Sequence, residues 1–547
     1  INSVITGSGS LTLKSDVTPG PISLNAANTY TGPTTIGNAT ANNSWCWALI
    51  NGSLSASSAV FVTTNASLGG TGIINGPVSV GPNGIVGPGG IFEAGTLTVN
   101  NNVAATNGFL TYDLASVTTA GAGVNDLLQV NGNLTLKGTI TVQINALAGS
   151  LANGTYRLIN YTGTGDFTGC TLVCENPRYG ATFDTSTPGQ VNMTIANGTP
   201  VSLVWQGTQG LYWDIGVTPN FLNGATPDVF YQGDAVKLDD SGSYLNPVTL
   251  LAVGPNIGMV QPSAVIVDTT NSFTLTSSGS ARLGGSMGLY KGGTGTLTLA
   301  QANNNNPHQY TGPTVVTNGM LTLANGRVLG SIVSGTIVSN GGTLNVNGQD
   351  IGFEPVYVEG EGMNSAGALV NLGGGQNNAL RVVTMTGNTT VGGTGRFDIR
   401  NIGGNAYLNT GGNPYKLTKK GANQFTLVGV ATDPALGDID VLEGTFGYET
   451  TSTLGDAAKT LSLAANTSLR LWNLSNNFYK PLILNGGATA NIDNGSGTNT
   501  IVGPVTLAAD SIWNINAGSL AVYSGIGGAG GLTKAGAQTL YLYGTNT

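Results

Sequence analysis

Charge is scarce in this 547-residue chain: only 8% of its residues are Asp, Glu, Lys or Arg, against about 25% in ordinary soluble domains. Its 18 Lys and Arg are scattered, with no basic cluster beyond Lys419-Lys420, and the net charge is −8. Nucleic-acid binding, which needs a basic patch, is excluded. No apolar run reaches the ~18 residues of a membrane-spanning helix. Nothing after Ile1 reads as a signal peptide, which fits a mature or excised segment. One His and three Cys (Cys46, Cys170 and Cys174) cannot build a zinc site of ordinary spacing. Cys170 and Cys174 could pair across a tight turn, but an extended segment holds them too far apart, so free or buried thiols are the simpler expectation. Helical periodicity is missing as well; the best window, Asp456-Ala-Ala-Lys459, is at most one turn. No nucleophile elbow, phosphate loop or His-x-x-x-His pair occurs.

Gly is abundant instead, at 86 residues, roughly twice its usual share of about 7%. Polar surface must come from Thr, Ser and Asn, which keep stacked strands soluble without like-charge repulsion. Short alternating runs such as Leu11-Thr-Leu13, Thr96-Leu-Thr-Val99 and Leu344-Asn-Val346 are separated by Gly, Asn, Pro or Ser clusters, the pattern of short strands between turns. One phrase repeats: Gly288-Leu-Tyr-Lys-Gly-Gly-Thr-Gly-Thr-Leu-Thr-Leu299 returns as Gly530-Gly-Leu-Thr-Lys-Ala-Gly-Ala-Gln-Thr-Leu-Tyr-Leu542, and more loosely as Lys416-Leu-Thr-Lys-Lys-Gly-Ala-Asn-Gln-Phe-Thr-Leu427. Its sequel Tyr310-Thr-Gly-Pro-Thr314 is echoed by Tyr30-Thr-Gly-Pro-Thr34. Repetition of this kind marks a solenoid.

The expected fold is all-β: an elongated right-handed parallel β-helix, interrupted by a cap-like β module. Leu297, Leu299, Val315, Leu321, Leu323, Ile332, Val333, Ile337, Leu344 and Val346 supply inward rows. Asn at the bends (Asn100 to Asn102, Asn303 to Asn306, Asn340, Asn347) tolerates left-handed backbone and can form amide ladders between coils. At roughly 20–25 residues per coil the chain makes about 25 coils, and at ~4.8 Å each a rod on the order of 100–130 Å long. Residues 1–108 read as coils, 109–200 as the cap-like module, 201–287 as the start of a second unit rich in aromatics and acids, and 288–547 as further coils. With no polar cap at either end, the end coils are expected to stack head-to-tail on other copies.

The repeated phrase resembles the autotransporter-associated β-strand repeat, at 288–323, 414–429 and 527–542 and in part at 28–36. The segments from Leu68-Gly-Gly-Thr-Gly72 to Gly95-Thr-Leu-Thr-Val99 and 109–161 are similar to the last coils and capping module of such passengers. The resemblance implies an exported β-helical fibre or adhesin, extracellular or on the surface of a Gram-negative-type bacterium. No membrane-barrel translocator follows the coils here, and the cap-like module is internal.

Candidate chemistry gathers at 201–240. Asp228, Asp234, Asp239 and Asp240 are the densest acids, with Trp205, Tyr212, Trp213 and Tyr231 as sugar-stacking candidates. Aromatics plugging the start of a solenoid and acids capping turns explain the cluster most simply; a calcium site of Asp oxygens is the one cofactor it allows. A catalytic carboxylate pair, as in polysaccharide cleavage, is disfavoured because Asp239 and Asp240 point to opposite faces. Trp45 and Trp47 flank Cys46 and read as a buried or interface plug. His308, beside an Asn run, is expected to be a solvated turn residue. The primary expectation is a structural fibre subunit that self-associates. The alternative is an adhesin binding carbohydrate or another cell surface, and a polysaccharide-cleaving enzyme comes last.

Overall fold

The structure is a computed structural model describing residues 1–14, 21–37, 46–90, 93–121, 123–147, 150–197, 200–242, 246–251, 258–301, 307–487 and 490–547. The chain winds as a parallel β-solenoid of about 21 turns. Fewer turns form than the expected 25 because coil length varies: the step is 18 residues from Val60 to Val78, but 31 from Val103 to Leu134. Antiparallel strands take up further residues between 154 and 228. Among the described residues, helix is limited to the 3-10 turns Pro177–Tyr179 and Met363–Ser365.

Two cores run along the axis, one from Leu13 to Ile195 and one from Leu203 to Ile526. In the first, three parallel faces surround the interior. The strand Leu134–Ala146 serves two of them, bending at Gly138 with φ +66. The strand Gly154–Tyr161 closes its sheet by pairing antiparallel with Gln190–Ile195, which in turn pairs with Thr182–Asp184. The second core opens with the antiparallel strands Ser202–Trp205, Phe221–Asn223 and Thr226–Asp228 before parallel coiling resumes.

Alternation decides which side chains enter the core, because successive residues of a strand face opposite sides. One inward row reads Phe273, Leu297, Leu321, Leu344, Leu369, Val391, Lys419, Val441, Leu463, Leu484, Leu507, each paired with the next across adjacent coils. Leu297, Leu321 and Leu344 are fully buried. The same alternation corrects four expectations. Ile332 and Val333 lie in a turn, 58% and 78% exposed. Ile337 faces outward and Val315 is half-buried, while Val316 and Val338 take the inward places.

The repeated phrase now has physical content. Tyr30 and Tyr310 are buried, and each phenol is hydrogen-bonded to the Thr four residues on, at 2.5 Å to Thr34 and 2.6 Å to Thr314. The Gly between them marks a close approach of coils: a methyl added at Gly312 would sit 2.3 Å from the Met287 carbonyl oxygen, and one at Gly32 2.3 Å from that of Gly9. In two copies of the phrase the Lys enters the core, as Lys291 and Lys419, while Lys534 of the last copy is exposed. Lys419 Nζ donates to the carbonyls of Lys420 (2.8 Å), Gly421 (2.7 Å) and Glu443 (3.1 Å). Lys291 likewise donates to Gly292, Gly293 and Asn318. The amine thereby supplies donors to a ring of turn carbonyls.

Amide ladders form at the bends as expected. Asn25 donates to Asn2 and Asn51 to Asn25; elsewhere Asn100 donates to Asn75 and Asn131 to Asn100. Asn347, at φ +49, donates to the Leu323 carbonyl. The Asn303 to Asn306 run lies outside the described residues.

Candidate functional site

The aromatic and acidic cluster at 201–240 divides into a buried plug and a set of engaged acids. Trp205 and Trp213 are fully buried, and their rings meet Phe221 and Phe230 edge-on at 5.2 Å (Trp205–Phe221), 5.8 Å (Trp213–Phe221) and 5.3 Å (Trp213–Phe230). Neither ring offers a face to a ligand. The sequence builds this plug because strands at the start of a core must cover its open end with large apolar area. Tyr231 is half-buried, its ring 5.1 Å from the Arg178 guanidinium carbon. Tyr212 is 50% exposed beside a shallow hollow lined by Leu211, Thr249 and Ser277. Trp47 is half-buried on Cys46–Ile50, paired in register with Pro21 and Ser67. Trp45 lies outside the described residues.

The four acids do not converge on one point: Asp228 and Asp234 share Arg178, and Asp239 and Asp240 have other partners. Asp234 is buried and accepts from Arg178 Nε at 2.7 Å and from the Tyr231 N–H at 2.9 Å. Asp228 accepts from Arg178 Nη1 at 3.1 Å. Burial pushes the Asp234 carboxyl up to about 6 against the pull of the Tyr231 N–H and Arg178. At Asp228 burial opposes ionisation, but bonds from Arg178, the Val229 N–H and Asn223 outweigh it and hold the carboxyl low. Asp239 caps the turn at Ser241 and pairs with Lys237, while Asp240 binds Thr269, Thr270 and Asn271 on the next coil. Among the described residues, no group of three or more His, Cys, Asp or Glu is arranged to hold a metal ion. The acids' partners are protein hydrogen-bond donors.

Arg178 is the residue the sequence did not flag. It sits on the 3-10 turn Pro177–Tyr179 of the first core, and its contacts Asp228, Asp234 and the Val229 carbonyl belong to the second. Asn176, capping that turn, donates to the Gln232 carbonyl at 2.8 Å. The aromatic-acidic cluster is thus the seat of a latch between the two cores. An ion pair shielded on both sides is costly to break from one side only.

Other titratable groups are structural. His308 is buried, contrary to the solvated turn expected: its Nδ1 accepts from the Leu283 N–H at 3.0 Å, and burial, with Arg282 nearby, pushes it down to about 3. The Asn run before it hides this, since inward placement depends on the strand Arg282–Leu283 one coil earlier. Cys170 and Cys174 lie at the two ends of one extended strand and are free thiols, and burial pushes Cys174 up to about 11. Cys46 is buried, its Sγ donating to the Leu13 carbonyl at 3.0 Å. Asp126 is buried and accepts the Gly95 and Asp113 N–H groups, both at 2.7 Å; burial and the neighbouring Asp113 charge push its carboxyl up. Glu354, buried on the Thr336 hydroxyl at 2.8 Å, is pushed up to about 7 by burial.

What the described surface offers is long outward rows of Thr, Asn and apolar side chains, repeated coil after coil. No helix among the described residues is long and apolar enough to cross a membrane. No protein-family model matches the chain, and no solved structure matches it. Among curated proteins, the adhesin BmaC autotransporter of Brucella suis biovar 1 (strain 1330) is 28% identical over 432 residues. The alignment takes in 69% of this chain but spans only 12% of that much longer protein. Sequence similarity and architecture agree: the chain has the β-solenoid form of an autotransporter-like passenger.

Proposed function

We propose that the chain is an adhesin-like passenger segment displayed outside a bacterial cell, where its outward β faces engage carbohydrate or another cell surface. The observation that carries this reading is the similarity to an autotransporter adhesin over 432 residues, 69% of the chain. A solenoid suits the task, since stacked coils hold a long surface rigid with few loops open to proteolysis. The engaged acids of the 201–240 cluster favour a binding role over catalysis: none of the four is left to act as an acid–base pair across a cleft.

The test is adhesion by the purified chain. Beads coated with it should bind cultured cells saturably, and soluble chain should compete. Beads that adhere no better than beads carrying the heat-unfolded chain would remove the adhesin reading. Turnover of a polysaccharide by the same preparation would replace it with an enzymatic one.

A further inference from the structure

The outward face of the second core carries an apolar row that packing does not need. Ile266, Tyr290, Val315, Ile337 and Tyr357 occupy the same position on five successive coils. Val315 is half-buried; the others are 38%, 41%, 36% and 38% exposed in chain order. The neighbouring outward row holds Thr274, Thr298 and Thr322, so five consecutive large apolar side chains are a departure from it. At ~4.8 Å per coil the row is on the order of 19 Å long, with the two Tyr three steps, ~14 Å, apart.

Glycine sets the posture of the rings. A methyl added at Gly288 would lie 2.6 Å from the Tyr290 hydroxyl, and one at Gly335 3.2 Å from Tyr357 Cε2. Each ring therefore leans over a bare backbone position. Acids stand two residues further along at the two ends of the row: Asp268 follows Ile266, in register with an Asp239 that pairs with Lys237, and Glu359 follows Tyr357 on the same face. Beside Glu359 opens a shallow groove of about 500 Å³ lined by Asn340, Glu361, Ser365 and Asn388.

We infer that this row is a platform for a single extended, uncharged glycan laid along the solenoid axis, a proposal that rests on the adhesin-like reading above. Width argues first. One side chain across, the row covers on the order of 200 Å², far below the ~800 Å² per partner of a stable protein interface, so a second copy or a folded protein would not be held. An extended peptide fits poorly, because the strands under the row are paired with neighbouring coils and offer no free backbone edge. Its own N–H and C=O groups would lose water without replacement. A pyranose chain meets both demands. Its apolar C–H faces lie on flat rings, and its hydroxyls donate to carboxylates, which form the stronger charge-assisted bonds. Asp268 and Glu359, at opposite ends of the row, disfavour an anionic polysaccharide or an anionic lipid surface.

The test titrates the purified chain with uncharged β-linked hexasaccharides of glucose, xylose, mannose and N-acetylglucosamine. A polyuronate hexamer and an oligolysine peptide serve as opposing arms. At least one uncharged hexasaccharide should bind, its trisaccharide should bind at least tenfold more weakly because it cannot reach both rings, and binding should perturb tyrosine absorbance. The double variant Tyr290→Thr/Tyr357→Thr, which places good strand formers at outward positions, should melt like wild type and lose tenfold or more in affinity. Ile337→Gln, between the rings, gives a second and milder loss should the double variant fold poorly. No binding by any uncharged hexasaccharide overturns the proposal, as does unchanged affinity in the variants or preference for the polyuronate or the peptide. Cell adhesion undiminished in the double variant overturns the platform and leaves the adhesin reading standing. Hexasaccharide binding by a chain that adheres to no cell supports the platform and removes the adhesin reading alone.

Discussion

Gly312 offers the sharpest check on why the repeated phrase reads as it does. Its φ is not in the left-handed region, so no backbone strain confounds the substitution. In Gly312→Ala the new methyl would lie 2.3 Å from the Met287 carbonyl oxygen and 2.7 Å from its carbon, where ordinary contact begins near 3.4 Å. The obstacle is backbone, so no side chain can rotate away and the two coils must part by about an ångström. Two ladder bonds cross that gap, Gly312 N–H to Met287 at 3.1 Å and Thr311 N–H to Gly285 at 2.9 Å. Losing most of both costs about 2 kcal/mol, and local overpacking adds about 1–3 kcal/mol. The expected destabilisation is therefore about 3–5 kcal/mol. Gly374→Ala is the control: nothing lies within 4 Å of its added methyl and its φ is ordinary, so stability should stay within about 0.5 kcal/mol. Urea unfolding followed by circular dichroism and by tryptophan fluorescence reads both. A Gly312→Ala protein within 0.5 kcal/mol of wild type refutes the close-approach reasoning, and an equal loss in Gly374→Ala shows the cost to be generic to glycine.

Leu297→Asp should destabilise by several kcal/mol, because a buried carboxylate without a partner must either be desolvated or protonated, while Thr298→Asp on the outward side of the same strand should change little; similar melting of the two would contradict the alternation. For Glu354 the folded carboxyl sits near 7 against an ordinary 4.5, so the folded state binds more protons than the unfolded one and this group's stabilisation, complete below about pH 4.5, is lost as pH rises through 7. Glu354→Gln should flatten that decline, and an unaltered pH–stability slope between 4.5 and 7 would count against it. Lys419 has the opposite sign: burial pushes its amine down to about 7 from 10.5, so the unfolded chain binds more protons between those values and wild type should gain stability relative to Lys419→Met as pH rises from 7 to 10.5. A difference that is constant across that window would contradict a buried amine held below its ordinary pKa.

Much of the architecture was open to inspection in the primary structure because solenoids write their geometry locally. Alternation in Thr296-Leu-Thr-Leu299 and the Asn at bends needed no long-range information. Coil length did, since the step from Val103 to Leu134 depends on where the ladder re-forms, and that is why the turn count fell short. Ile337 misled because β-branched residues suit either face of a strand; only the register with Tyr357 shows which way it points. Trp205 and Trp213, read most simply as a plug, stayed open as ligand candidates because composition reports aromatics without reporting depth; both are fully buried. Tyr290 and Tyr357 escaped notice for the converse reason: they are 67 residues apart in the chain and come together only when three coils are stacked. Arg178 is invisible for the same cause, 50 residues from Asp228 and 56 from Asp234.

The parallel register has one further bearing, on evolution. Each turn touches little beyond the turns before and after it, so duplicating or deleting a stretch such as Leu297 to Met320, one step of the ladder, alters reach by a fixed increment and leaves distant turns as they were. Length becomes a trait that recombination between near-identical phrases can adjust in whole steps, without redesigning any core.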